Sequence, residues 1–268
     1  MPGRMRWILL PALSRILFSI LVGFLLVGGA AARGEVPLRE QSEEFFPLAL
    51  DGTIDLENGD GSIHIFGWDK PRVRLTVVRK AYSAPRLRQI RVETKTEPAA
   101  LTVRTLIPPV SGLLADRSGT VDYTLNVPEP ARLKLKLSNG EISLEGLRGA
   151  KVDLELANGR ILALNCFAQV RARLQNGVME AFFAWWENLP ASFDYALQRG
   201  RIGVRLPAAA QFRVEARTAD GRIQQGFHFA NPIEAGAGQT LQAATTPDTP
   251  MSLGLRSGSG NISIDAIR

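Results

Sequence analysis

The sequence predicts an all-β protein made of stacked β-strand repeats. A Gly-centred motif recurs along the chain, short runs of alternating apolar and polar residues fill most of it, and Gly or Pro separates these runs. The motif glycines at positions 140, 159, 177, 200 and 221 are spaced 19, 18, 23 and 21 residues apart. Such a period is typical of stacked repeats, since one unit this short cannot bury its apolar face alone.

The first 32 residues have the pattern of an export signal. Three arginines and no acidic residue accompany an unbroken apolar run at Ile16–Val27, and Gly28–Ala32 supplies the small residues that signal peptidase requires. Cleavage would then precede Arg33. The 17 apolar or small residues of Ile16–Ala32 also reach the short end of a membrane span, so an uncleaved anchor is the alternative. In both cases we expect the rest of the chain to be exported, as a periplasmic, cell-surface or extracellular protein.

Residues 33–44 are charged and polar, and we interpret them as a linker. From residue 45 to residue 130 the chain alternates with the period of two expected of half-buried strands. The predicted strands are Thr53–Glu57, Ser62–Phe66, Arg72–Arg79, Ile90–Thr94, Leu101–Thr105 and Thr120–Val127. Pro- and Gly-rich breaks separate them. The first four or so of these strands are expected to pair as antiparallel hairpins and meanders, which would make the N-terminal β region a sandwich-like portion.

Residues 131–268 form the β-repeat region and continue the same domain, which spans 45–268. Each copy predicts two short strands joined by a Gly turn, as at Arg132–Leu137 and Glu141–Leu144, because Asn-Gly and Asp-Gly readily adopt positive φ. Residues Asn231–Pro250 are rich in Gly, Ala, Thr and Pro and predict a loop that interrupts the last copy. That copy ends near the C-terminus, where we expect its edge to be uncovered.

Two segments carry a resemblance to a known family. Asn58–Asp69 (NGDGSIHIFGWD) and Thr120–Gly149, with the later Gly copies, resemble the bacterial putative-adhesin family, whose members carry a domain of unknown function with β-strand repeats. The resemblance covers roughly residues 45–268. It implies a β-helix-like or β-roll solenoid on an exported or membrane-tethered protein, with no established enzymatic activity.

Composition gives little support to nucleic-acid binding or to histidine or thiol catalysis. Without the three arginines of the first 32 residues, 29 basic residues face 26 acidic ones, so no nucleic-acid partner is expected. The only cysteine, Cys166, lies among apolar residues and is interpreted as a small buried side chain. Neither His64 nor His228 adjoins a nucleophile motif. We therefore predict no catalytic residue.

Metal and cofactor sites are not predicted either. Asp51, Asp55, Glu57 and Asp60 could offer oxygen ligands to calcium, but their spacing does not match an EF-hand loop. Ordinary turn and strand roles are the favoured interpretation. No Gly turn is followed by the Lys-Ser/Thr of a phosphate loop.

The copy at residues 176–187 is the one with bulky aromatic residues. Strand alternation places Phe183 and Trp185 inward and Phe182 and Trp186 outward. Exposed aromatic rings stack on sugars or dock partners, so Phe182 and Trp186 are the predicted binding residues. The alternative is that a neighbouring loop covers them.

The sequence therefore favours a non-enzymatic exported cell-envelope protein, an adhesin-like binding scaffold. Its expected partner is a cell-surface or extracellular ligand, a glycan or a protein, and it contacts membrane only through the N-terminal segment if that stays uncleaved. Two alternatives are a glycan-active enzyme on a β-helix and a membrane-anchored envelope or signalling component. An in-line cluster of carboxylates on one face would favour the enzyme.

Overall fold

The structure, a computed structural model, describes residues 36–112, 116–229, 232–236 and 239–267. The predicted signal or anchor at residues 1–32 lies outside the described residues. The strands are β1 (Leu38–Pro47), β2 (Thr53–Trp68), β3 (Arg72–Ala81), β4 (Arg91–Glu97), β5 (Ala100–Leu106), β6 (Thr120–Pro128), β7 (Arg132–Glu145), β8 (Arg148–Leu164), β9 (Phe167–Phe182), β10 (Ala191–Pro207), β11 (Phe212–Asp220), β12 (Ile223–Gln225), β13 (Ile233–Ala235), β14 (Thr240–Ala244), β15 (Met251–Ser259) and β16 (Ile262–Ile267).

The prediction of an all-β protein is confirmed. The strands form one large mixed sheet that does not close, in the order β1-β3-β6-β2-β7-β8-β9-β10-β15-β11-β14-β13. Strands β4, β5, β12 and β16 join beside this path. The short helix α1 (Ala84–Gln89), which follows an N-capping Ser83, was not predicted. Among the described residues, no helix combines the length and apolarity needed to span a bilayer.

The N-terminal strands combine both kinds of pairing. Antiparallel pairs join β1 to β3, β3 to β6 and β4 to β5. The first four predicted strands do not form antiparallel hairpins with one another, and the first two of them are parts of the single strand β2. Strand β2 instead pairs in parallel with β5, β6 and β7. It thereby connects the other N-terminal strands to the repeats.

The linker predicted at residues 33–44 is wrong from Leu38 onward, because β1 begins there and pairs along its whole length with β3. Its charged residues are those of an exposed edge strand: Glu40 and Glu43 form ion pairs with Arg79 and Arg74 at 2.7 Å each. Charged side chains protect an edge from pairing with other chains. The same composition therefore suits an edge strand as well as a linker.

Four of the motif glycines, Gly140, Gly159, Gly177 and Gly200, lie inside long strands, which corrects the turn predicted there. The predicted break between two short strands is found at Gly221, between β11 and β12, and at Gly260, between β15 and β16. Strand β7 runs unbroken through Gly140, and β8 runs through Gly159. The two glycines have φ of +135° and +137° and are register partners. A Cβ on Gly159 would lie 1.8 Å from the Gly140 carbonyl oxygen. Glycine is therefore required both for the backbone conformation and for the close approach of neighbouring strands.

We call this set of stacked glycines the glycine column. Its members are Gly61, Gly140, Gly159, Gly177, Gly200, Gly260 and Gly221. At the column, the buried positions of a strand switch from one set of alternate residues to the other. In β7, Leu133, Leu135 and Leu137 are buried before the glycine, whereas Ile142 and Leu144 are buried after it. Both halves of each long strand therefore contribute to one hydrophobic core.

The asparagines that precede these glycines form a hydrogen-bonded ladder. Arg199 Nε donates to Asn176 Oδ1 at 3.0 Å, and Asn176 and Asn158 each donate to the next asparagine at 2.9 Å. Asn139 donates to Asp60 Oδ1 at 2.7 Å and ends the series. The Asn-Gly pairs thus link neighbouring strands through their side chains as well as shaping the backbone.

The last copy is internal to the sheet, so the predicted uncovered C-terminal edge is wrong. Strand β15 pairs in parallel with β10 on one side and β11 on the other, and β16 pairs with β10 and β12. Gly260 accordingly stacks against Gly200 and Gly221. The predicted loop Asn231–Pro250 contains β13 and β14, which pair antiparallel beyond β11 and extend that edge of the sheet.

Candidate functional site

The strand halves before the glycine column carry alternating charges on their outer surface, which we call the first-half surface. One row of register partners across β2, β7, β8, β9 and β10 consists of Asp55, Lys134, Asp153, Arg171 and Asp194. Arg171 lies 3.7 Å from Asp153 and 3.8 Å from Asp194. Bases thus separate the acids along this row.

A second row on the same surface repeats the alternation. It consists of Glu57, Lys136, Glu155 and Arg173, with Lys136 Nζ 3.1 Å from Glu57 and Arg173 3.6 Å from Glu155. A glycosidase needs two carboxyl groups that face one sugar. These rows direct their carboxylates to neighbouring cations instead.

The strand halves after the column form the second-half surface, which carries three half-buried apolar side chains among polar and charged ones. Leu162 and Leu164 on β8 are half-buried and alternate with the buried Ile161 and Ala163. Phe182 on β9 is the register partner of Leu164 and is also half-buried. We call Leu162, Leu164 and Phe182 the apolar strip.

The row that contains Leu164 and Phe182 extends further across the sheet. Glu145 pairs with Leu164, and Phe66 pairs with Glu145. Since neighbouring strands lie about 4.8 Å apart, Phe66 and Phe182 are separated by about 14 Å. Two aromatic side chains therefore flank Leu164 in one row, with a single acid between them.

An arginine cluster borders the apolar strip. Arg160 donates from Nη2 and Nε to one oxygen of Glu180 at 2.6 and 2.9 Å. Arg201 and Arg205 lie 3.6 and 3.8 Å from the other oxygen, and the Glu180 side chain is only 14% exposed. Arg205 is also the register partner of Phe182. One carboxylate therefore serves three guanidinium groups, although Glu141 contacts Arg160 from the other side at 3.7 Å.

The predicted orientation is confirmed for Phe183 and wrong for the two tryptophans. Phe183 is fully buried, but Trp185 is 47% exposed, and Trp186 packs against the core. The Trp186 ring centroid lies 6.1 Å from that of Phe167 and 6.4 Å from that of Phe183. The alternation fails because β9 ends at Phe182. Beyond that residue no strand geometry fixes which side chains point outward.

Polar contacts hold the exposed Trp185 in place. Its indole Nε1 donates to Glu187 Oε1 at 2.8 Å, and Arg148 Nη2 lies 2.7 Å from the same oxygen. These hydrogen bonds, first that from Arg148, lower the pKa of the Glu187 carboxyl below its usual value. The preceding Ala184 N–H donates to Asn165 Oδ1 at 2.7 Å. Trp185 is therefore an exposed ring whose orientation is fixed by hydrogen bonds. The sequence had predicted an exposed ring at Trp186 instead.

Leu162 and Leu164 were missed as surface residues, although the signal for them is present. In NGRILAL the alternation rule that places Ile161 and Ala163 inward places both leucines outward. The predicted contrast between one aromatic copy and otherwise polar copies is therefore too sharp. The apolar surface spans two neighbouring strands.

The other candidate residues have structural partners. Burial raises the pKa of the Cys166 thiol to about 11, which agrees with the predicted buried side chain. His64 Nδ1 lies 2.6 Å from Ser143 Oγ, whereas His228 is exposed. Asp55 contacts Arg104 at 3.1 Å. Across the described ranges, no group of three His, Cys, Asp or Glu residues is arranged to hold a metal ion.

Comparison with solved structures finds several matches. A "putative cell adhesion protein" from Clostridium sporogenes ATCC 15579 matches with a TM-score of 0.52 and 13% identity, over 86% of this chain and 100% of that chain. A "putative adhesin" from Bacteroides fragilis NCTC 9343 matches with a TM-score of 0.31 and 11% identity, over 85% and 97%. A "putative lipid binding protein" from Parabacteroides distasonis ATCC 8503 matches with a TM-score of 0.28 and 12% identity, over 83% and 96%.

Of these three matches, the clostridial protein has a TM-score above 0.5 and shows a shared fold. The likeness to the clostridial protein confirms the fold-level resemblance to the putative-adhesin proteins. At 13% identity it shows the shared fold alone. No family model matches the chain, and no curated protein matches it.

Proposed function

We propose that this chain is a non-enzymatic binding scaffold of the cell envelope, which presents the outer side chains of stacked strands to an extracellular glycan or protein. The observation that carries the proposal is the apolar strip of Leu162, Leu164 and Phe182 on the second-half surface. Apolar groups that lie together on an otherwise charged surface are typical of interaction sites.

The parallel register supports the finer description of the repeats as a β-helix-like solenoid. From β7 to β10, each strand pairs with the next so that glycine lies on glycine. Such a stack gives a ligand a rigid surface with rows of side chains at a constant spacing. A rigid surface lowers the entropy lost on binding.

Within this surface we assign ligand contact to Phe182, with Trp185 at its end. Trp186, which the sequence also indicated, belongs to the site as the ring that supports this corner from the core side. The flanking Arg201 and Arg205 would add contacts to polar or acidic groups of the ligand.

The alternating charges support a binder over the glycan-active enzyme. Along the two charged rows, no two acids are direct register partners. The fold itself does not decide the matter, since one fold supports many functions.

Export remains a proposal that rests on the first 32 residues. Mass spectrometry of the protein purified from its own cells distinguishes the two forms. A mature N-terminus at Arg33 would support cleavage, whereas a chain that retains Met1 would support the anchored envelope component.

The binding proposal is tested with a double variant, Leu164→Ser with Phe182→Ser, on a printed array of glycans and purified extracellular-matrix proteins. The matched control is Lys151→Ser with Gln169→Ser, since these exposed register partners lie on the same two strands before the glycine column. We expect at least tenfold weaker binding for the first variant and unchanged binding for the control. A folded first variant that binds as the wild type does would contradict the proposed site.

A further inference from the structure

A second cluster of aromatic and cationic side chains lies among the N-terminal strands, remote in sequence from the repeats. The Arg72 guanidinium lies 5.1 Å from the ring centroid of Phe45 and 5.7 Å from that of Trp68. Lys70 Nζ lies 5.2 Å from the Trp68 centroid. We call these four residues the cation clamp. Cation–π contacts of this kind orient a positive charge without neutralising it.

The backbone fixes the position of the clamp. The Trp68 indole Nε1 donates to the Arg72 carbonyl oxygen at 2.8 Å, which ties the end of β2 to the start of β3. Phe45 lies on β1, the strand that pairs with β3. Three paired or hydrogen-bonded segments therefore place the Arg72 guanidinium between two rings. This arrangement reduces the conformational entropy that the side chain would lose on binding a ligand.

The two cations of the clamp lack a carboxylate partner. Within the described residues, neither Lys70 nor Arg72 has an ion pair at 4.0 Å or less, whereas nearby Arg74 contacts Glu43 at 2.7 Å. Asp69 directly precedes Lys70 in the chain and is exposed, and it forms no ion pair with any described residue. Even with Asp69 counted, the clamp keeps an excess of one positive charge.

An apolar groove of about 520 Å³ adjoins the clamp. It is lined by Pro47, Leu48, Ala49, Pro71, Thr96, Glu97 and Pro98. Pro47 is the register partner of Arg72, and Pro71 precedes Arg72 in the chain, so groove and clamp share a border. The one acid of the groove, Glu97, forms an ion pair with Lys95 at 2.8 Å.

We propose that the clamp and the groove together bind a single-chain anionic amphiphile. The ligand's oxyanion would lie against Arg72 and Lys70, because a guanidinium fork matches the geometry of carboxylate, sulfate and phosphate groups. Its apolar chain would lie in the groove against Pro47, Leu48 and Pro71. This site is separate from the proposed function of the repeats, and the failure of one leaves the other intact.

A single soluble chain fits this site better than a bilayer does. The apolar residues line a concavity with three prolines in its wall, whereas a membrane contact needs apolar side chains that project from a convex surface. The volume is of the size that holds a small ligand.

The test is calorimetric titration of the full chain with decanoate below its micellar concentration. The key variant is Lys70→Gln with Arg72→Gln, and the matched control is Arg74→Gln with Arg217→Gln, which removes the same charge from residues that have ion-pair partners and do not line the groove. We expect at least tenfold weaker decanoate binding in the first variant and less than a twofold change in the control. Circular dichroism checks that both variants fold.

Further probes separate the two parts of the site. Acetate and neutral decyl maltoside should each bind at least tenfold more weakly than decanoate, since each lacks one half of the ligand. Equal binding of either probe would overturn the proposal, as would a wild type that does not bind decanoate. Arg72-dependent binding to phosphatidylglycerol vesicles without decanoate binding would instead indicate a membrane contact and also overturn it.

Discussion

The first-half and second-half surfaces come from the same strands, yet they use their outward positions differently. On the first, acids and bases alternate from strand to strand, and each acid of the rows has a cation near it. On the second, three half-buried apolar side chains lie next to Glu180, which three arginines share. The first surface therefore holds neighbouring strands together with its own charges. The second leaves apolar area free for a ligand.

The glycine column separates these two surfaces, because the inside and outside positions exchange there. Without the glycine, the same set of alternate residues would point inward along the whole strand, and residues such as Ile142 would then point outward. The difference between the surfaces thus depends on a backbone conformation that only glycine adopts readily.

The largest expected effect is that of Gly159→Ala. At φ +137°, and with a new Cβ 1.8 Å from a backbone oxygen of the neighbouring strand, the substitution must separate two strands. We expect a loss of more than about 4 kcal/mol in the free energy of unfolding, measured by chemical denaturation. It should disturb both surfaces at once.

The matched control is Gly203→Ala on the second-half surface, where the nearest atom to a new Cβ is 3.6 Å away and φ is ordinary. We expect a change of less than about 1 kcal/mol. Equal losses in the two variants would show that the column does not have the special role assigned to it.

The next effect compares the inside and outside of one strand end. Phe183→Ala removes a fully buried ring and should cost about 3 to 4 kcal/mol of stability. Phe182→Ala removes a half-buried outward ring and should cost less than about 1.5 kcal/mol. Thermal unfolding of both variants measures the difference, and a larger loss for Phe182 would place the apolar strip inside the core.

Much of the fold was predictable because strand signals are local. The run Thr120–Val127 alternates strictly, the run Arg72–Arg79 alternates up to Val77, and both are strands. The insertion of β15 between β10 and β11 was not predictable from chain order. The order of the strands depends on which motif glycines lie against each other in neighbouring strands. Because all copies carry nearly the same local motif, their sequences do not identify these neighbours.

The candidate site was predictable only up to the end of β9. The burial of Phe183 and the outward position of Phe182 follow from alternation within or just beyond a strand. Trp185 and Trp186 lie after the strand, where tertiary contacts decide. Trp186 packs against Phe167 and Phe183, and no local sequence pattern predicts that contact.

A smaller effect on the free energy of unfolding tests the hydrophobic core to which both halves of the strands contribute. Burial raises the pKa of Cys166 from 9.0 to about 11, so the folded state keeps its proton at a pH where the unfolded state loses it. Stability is therefore complete below pH 9 and falls as the pH rises toward 11. We expect this thiol to account for a loss of about 2 kcal/mol at pH 11.

Urea denaturation between pH 8 and pH 11 measures this loss, and Cys166→Ala should lose correspondingly less. The buried Tyr123, whose pKa is raised to about 12 by desolvation, adds a fall that both proteins share. Identical pH dependence in the two proteins would indicate that the thiol is accessible in the folded state.

The smallest effect compares one ion pair from each surface. Arg160→Gln removes two short hydrogen bonds from Glu180, whose side chain is 14% exposed, and should cost about 1 to 1.5 kcal/mol. Arg171→Gln removes two long contacts from a side chain that is 60% exposed and should cost less than about 0.5 kcal/mol. In 1 M NaCl the second loss should vanish while part of the first remains, because salt screens exposed charges more than half-buried ones. Equal losses that disappear together in salt would mean that the arginine cluster is as solvated as the charged rows, and the electrostatic difference between the two surfaces would then be lost.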